Sequence, residues 1–128
     1  MKLVNLTPHQ IALFKTTDCT EVQQGSYKVL TLKEGAQPLA VYPSEGVARA
    51  SAVKAVVDHL EINGQVVPVI GTTYGEPEGL PEPQTDTYFI VSALTAQAAK
   101  GRHDLLIVDG TVRDGAGRIC GCTAFGRV

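Results

Sequence analysis

The pentapeptide Ile62-Asn63-Gly64-Gln65-Val66 sets Asn-Gly between two apolar runs, and it constrains the fold more than any other stretch. A two-residue type I′ turn needs positive φ at both central positions, which Asn and Gly tolerate. The pair therefore predicts a β-hairpin in which Glu61-Ile62 pairs with Val66–Ile70. The rest of the chain repeats this punctuation in weaker form. Leu3–Leu6 and Ile11–Phe14 flank Thr7-Pro8-His9. Pro8 holds Thr7 extended and removes a ladder donor, so two strands, or one strand broken at a kink, are expected there. Lys15–Gly25 is polar and rich in turn residues, whereas Tyr27–Leu32 (YKVLTL) alternates β-formers and reads as a strand, followed by Leu39–Tyr42.

Val47–Ala50 favours strand, while residues 51–60 mix alanines with valines and suit helix or strand equally. Thr87–Val91 (TYFIV) is apolar enough to be a buried central strand. Ser92 can cap a helix over about residues 92–100 (ALTAQAAK follows it), which Gly101 ends. Leu105–Val108 is a further short apolar run, and Thr111–Arg113 and Arg118–Phe125 flank Asp114-Gly115-Ala116-Gly117 as a second hairpin. These elements predict an α+β, mainly β fold: one compact domain over residues 1–128, with seven to nine short, mostly antiparallel strands and one helix.

A chain of 128 residues needs no second core. Its 19% charged residues, net charge of −2 and pI near 5.9 supply no dense basic face for extended nucleic acid or an anionic membrane. No run approaches the roughly 18 apolar residues of a membrane helix, so a cytosolic location is expected. Three cysteines fit a reducing compartment better than a disulfide framework. Cys120 and Cys122, at CxC spacing, would place both thiols on one strand face as half of a metal site, but Cys19, His9, His59 and His103 form no second ligand pair. Burial is the favoured reading, and no metal or cofactor is expected.

Two features point to an anion. The passage IVSALTAQAAKGRHD delivers a strand to a helix start, where free N–H groups and the helix dipole favour negative charge, and Ser92 can donate there or simply cap. Arg102, Arg113 and Arg118 crowd the last third of the chain, and a guanidinium fork matches phosphate or carboxylate. Asp104, Asp109 and Asp114 lie close enough to neutralise them as surface pairs. Asn5, Thr7 and His9 share one kinked segment; His9 can serve acid–base chemistry, while Asn and Thr beside a proline commonly stitch a turn to its own backbone. A Ser92–His–Asp104 trio, with His9 or His103, lacks the G-x-S-x-G elbow. Glu76, Glu78 and Glu82 in YGEPEGLPEPQ have neither calcium-loop spacing nor sugar-stacking aromatics around them. No catalytic residue is assigned. Arg102, Arg113, Ser92, Asn5 and His9 are the candidate ligand-binding residues.

Three stretches, LVNLTPHQI, TTYGEPEGLPEPQTDTYFIVSALTAQA and GRHDLLIVDGTVRDGAGRICGC, span nearly the whole chain. In this order they resemble a family of small bacteriophage and prophage proteins, many of which open with NLTPH and carry EGLPEPQ before TYFIVSAL. The resemblance implies a homo-oligomeric phage accessory protein acting in the host cytosol. By analogy, such a protein sequesters an anionic nucleotide-like ligand or signal, and so counters host defence. The alternatives are a protein-interaction module that uses the proline-rich acidic strip YGEPEGLPEPQ to inhibit a host enzyme or serve phage assembly, with a host defence protein as a candidate partner, and a small hydrolase or nuclease using His9 or His103.

Overall fold

The computed structural model describes all 128 residues, Met1–Val128. Ten strands follow in order: β1 (Lys2–Asn5), β2 (Ile11–Leu13), β3 (Cys19–Gln24), β4 (Tyr27–Leu32), β5 (Ala40–Tyr42), β6 (Ala52–Ile62), β7 (Gln65–Tyr74), β8 (Thr87–Ile90), β9 (Leu105–Arg113) and β10 (Ile119–Gly126). One 3-10 turn, Thr16–Asp18, precedes β3, and one helix, α1 (Ala93–Ala98), follows β8. The fold is a β-rich α+β domain, as the sequence predicts. Eight strands form one sheet along the path β1-β8-β9-β10-β2-β5, with the β3/β4 hairpin attached through β4 to β9. The other two strands, β6 and β7, pair only with each other.

Antiparallel ladders carry the hairpins, but the centre of the sheet is parallel: β1 and β9 both run alongside β8 in its own direction. The physical reason lies in TYFIV. A strand covered on both faces reads as a continuous apolar run. Phe89 and Val91 pack on one side with Leu6, Ala48, Ala96 and Leu105, whereas Ile90 packs on the other with Ile11 and Cys122. β1 follows the same alternation, with Val4 against the first cluster and Leu3 against the second. β9 changes partner along its length. Leu105 and Leu106 pair with β8, and the later part pairs with β10 on one side and, at Val112 and Arg113, with β4 on the other.

The strands number ten where seven to nine are expected, as many pairings are parallel as antiparallel where mostly antiparallel ones are expected, and four local expectations change. Residues 19–24 of the polar stretch Lys15–Gly25 form β3, because the regular β4 beside them supplies a ladder from Cys19↔Leu32 to Gln24↔Tyr27. Val47–Ala50 makes only an isolated bridge, Arg49↔Glu78. Residues 52–60 are strand throughout, since the Asn63-Gly64 turn propagates pairing back to Ala52↔Tyr74. The helix is shorter than the predicted 92–100, covering Ala93–Ala98 with Ser92 as its N-cap.

YGEPEGLPEPQ proves to be a brace. Glu78 exchanges two backbone hydrogen bonds with Arg49 at 2.7 and 2.8 Å, Leu80 packs against the larger core cluster, and the Pro81 carbonyl accepts from Arg102 Nη1 at 2.9 Å. The crossing is thus tied down at three points before it reaches β8.

Candidate functional site

The chain's largest cleft, about 610 Å³, opens where the parallel strands β1 and β8 deliver their chain, beside the first half of β9. The segments leaving β1 and β8 contribute Thr7, His9, Gln10 and Val91–Ala93, and β9 contributes Ile107 and Val108. β2 and β10 close the opposite wall with Ile11, Ala12 and Ile119–Cys122. Its volume lies in the range of small-molecule sites. Crevices beyond the carboxyl ends of parallel strands are where open sheets commonly hold ligands, because loops there can vary without disturbing the ladder.

Asn5 builds the polar rim without reaching the ligand space. It is fully buried, and its Nδ2 donates to the carbonyls of His9 at 2.7 Å and Tyr42 at 3.0 Å. Its Oδ1 accepts from Thr7 N at 3.0 Å and from the Thr7 hydroxyl at 2.7 Å. A side chain that satisfies four backbone and hydroxyl partners fixes the Thr7-Pro8-His9 turn, the stitching role foreseen for an Asn beside a proline. His9 stands at the edge of the cleft with its backbone held in this way, and its exposed imidazole makes no hydrogen bond within the chain.

Ser92 also lines the cleft, but its hydroxyl is committed. Oγ accepts from Thr95 N at 3.3 Å and donates to Thr95 Oγ1 at 3.0 Å, and Thr95 in turn donates to the buried Ala48 carbonyl at 3.2 Å. This chain of hydroxyls pins α1 onto the core. Six residues make too short a helix for its N-terminus to act as an anion site, so the capping role of Ser92 is the one realised.

The arginines do not converge. Arg102 is held as a fork on Asp104, with Nε to Oδ1 at 2.9 Å and Nη2 to Oδ2 at 2.6 Å, and its guanidinium lies 6.0 Å from the Phe89 ring centroid. The hydrogen bonds and charge of Arg102 hold the Asp104 carboxyl below its ordinary range, and Asp104 raises the Arg102 guanidinium correspondingly. The pair is half-buried and internally satisfied, so Arg102 braces the core and the Pro81 crossing. Arg113 lies in a different depression, of about 570 Å³, beside Lys28 and Tyr27, where its Nη1 donates to the Gly117 carbonyl at 2.8 Å. Arg102, lining yet another depression with Glu76 and Glu82, reaches neither of these. Of the five candidates, the cleft collects His9 and Ser92 directly and Asn5 indirectly.

The serine-triad geometry is not assembled: Asp104 is engaged by Arg102, and His103 lines a depression with Asp86 and Tyr88. Cys120 and Cys122 both reach the cleft, yet no group of three metal-ligating side chains forms around them. Burial pushes both thiols above the ordinary value, with Asp114 adding to the effect at Cys120. They are thiols at neutral pH, and so weak nucleophiles and ligands.

Sequence reasoning missed the wall made by β9 and β10, whose residues read as ordinary strand. One signal was present. Gly121 is an isolated glycine inside a strand, which marks close approach of another backbone. A Cβ there would stand 2.5 Å from the Ala12 carbonyl oxygen and from Phe14 Cε2. Only glycine lets β10 lie against β2 closely enough to form this wall. Compared with protein-family models, with characterised proteins and with solved structures, the chain gives no match.

Proposed function

We propose that the chain is a non-catalytic, homo-oligomeric phage or prophage accessory protein of the host cytosol that binds and sequesters a nucleotide-like ligand. The observation that carries this reading is the cleft at the ends of β1 and β8 beside β9, of small-molecule size, apolar along its walls and polar at one rim. A heteroaromatic base fits such a lining: its faces lie on Ile11, Val108 and Ile119, and its polar edge meets the Thr7 hydroxyl, Gln10 and the His9 imidazole. No Lys or Arg lines the cleft, so the anionic groups of the ligand extend from its open side toward solvent.

The test is a thermal-shift screen of the purified chain against cyclic and ADP-ribose-derived nucleotides. At least one should raise Tm by several degrees at ligand concentrations about 100-fold above its Kd, and His9→Ala should abolish that shift while leaving the unliganded Tm in place. A screen with no shift at millimolar ligand overturns the reading. Recovery of the bound molecule intact after denaturation excludes the hydrolase alternative, whereas recovery of a cleaved product establishes it.

A further inference from the structure

β6 and β7 form an arm. At about 3.4 Å per residue, ten to eleven residues per strand give it a length of roughly 35 Å. It is fastened at its base by Gly75 N to Ser51 O at 2.9 Å, and its strands pair with no strand of the body. An isolated two-stranded hairpin is marginal in water unless a face of it is covered.

The register shows which face that is. Side chains alternate along a strand, so unbroken pairing would put Leu60 and Ile62 with Lys54, on the face opposite Val53 and Ala55. A bulge intervenes between Val56↔Ile70 and Asp58↔Val69. One extra residue reverses the phase. Leu60 and Ile62 therefore join Val53, Ala55 and Val57, opposite Val67 and Val69, while His59 and Glu61 move to the Lys54 face. Val57 is assigned by Gly71, the partner of Ala55: a Cβ on Gly71 would stand 2.7 Å from Val57 Cγ1, so the valine lies over the glycine on the same face. The bulge thus leaves Asp58 as the one charge on this face and places Lys54, His59 and Glu61 on the other, which also carries Val56, Val66, Ile70 and Tyr74. Val53, Val57, Leu60, Ile62 and Val67 are 38% to 65% exposed.

The whole molecule has surface to spare in proportion. A compact monomer of 13.6 kDa exposes roughly 6,600 Å², whereas this chain exposes 8518 Å². The excess, on the order of 1,900 Å², belongs to the whole chain with both faces of the arm included, and it exceeds the ~800 Å² each partner gives to a standard stable interface. Apart from Asp58, the face carries no charge with which to select a partner of opposite sign, and its aliphatic side chains match those of the same face on another copy. We infer that the apolar face of the β6/β7 arm is covered by the same face of a second copy of this chain, the two arms stacking about a two-fold axis as a small sandwich. The inference names the interface of the homo-oligomer proposed above, and it is read without any ligand, so a failed nucleotide screen leaves it standing.

The experiment is the mass of the full chain in solution, by light scattering on a sizing column at about 50 µM, with two variants. The wild type should run at twice 13.6 kDa or an even multiple of it. Leu60→Glu, which places a carboxylate in the apolar interface, should weaken association by roughly 100-fold or more and give monomer, and Lys54→Glu on the opposite face should leave the mass unchanged. If Leu60→Glu precipitates, cysteines introduced one at a time decide, each measured against the unchanged chain, whose own thiols are Cys19, Cys120 and Cys122. Val57→Cys should cross-link copies under mild oxidation and Val56→Cys, on the other face, should not. A monomeric wild type, an oligomeric Leu60→Glu variant or equal cross-linking through both cysteines overturns the assignment; a monomer that binds a different protein through this arm does so too.

Discussion

At the scale of single residues, the polar groups that drew attention in the sequence divide into those that build and those that face solvent. Asn5 builds. Replacing it with Ala strands the Thr7 amide and the carbonyls of His9 and Tyr42, so Asn5→Ala should cost about 3 kcal/mol and lower Tm by roughly 10 °C, read by thermal and denaturant unfolding. Asp104 builds as well, and its effect depends on pH. Its folded-state pKa lies below the ordinary 3.8, so its contribution is full above that value and is lost as pH falls through the lower, folded-state one. Asp104→Asn should therefore lose about 2 kcal/mol at pH 7, and the gap from wild type should close progressively below pH 3.8 in urea titrations. Neither role could be separated from ligand binding by residue type alone, because the donors and acceptors that satisfy these side chains come from positions such as Tyr42 and Pro81, far away in sequence.

At the scale of elements, local patterns held wherever a signal was self-contained. Asn63 and Gly64 adopt φ of 49° and 77°, as the hairpin turn demands, and YKVLTL coincides with β4. Patterns failed where a neighbour decides. The stretch CTEVQQ has little β-character of its own and becomes β3 because β4 offers it a ladder. Gly121 is the element-scale test of the cleft. Gly121→Ala pushes a methyl into the Ala12 carbonyl and the Phe14 ring, which separates β10 from β2 and should cost 2 kcal/mol or more (about the upper range for overpacking), visible as a lower unfolding midpoint. If His9 and the cleft bind ligand together, the same variant loses any thermal shift that the wild type shows.

At the scale of the whole molecule, only 14 of 128 residues are buried, so the body's core is small for the chain and the arm adds nothing to it. Stability should then depend on assembly: Tm should rise with protein concentration over about a hundredfold dilution series, by mass action, and Leu60→Glu should remove that dependence. What the sequence determined by itself was the β-rich class, the hairpin turns and the central place of TYFIV, because turn chemistry and continuous apolar character act over a few neighbouring residues. The tertiary structure alone decided that the arginines stand apart, that Ser92 is spent on Thr95, and that the ends of β1 and β8 enclose a cleft with β2, β9 and β10. It also decided that one bulged residue brings Leu60 and Ile62 onto the face of Val53 and Val57. Such facts depend on which strands meet and in what register, and pairing across the chain is set by the packing of the whole molecule, which no short stretch contains.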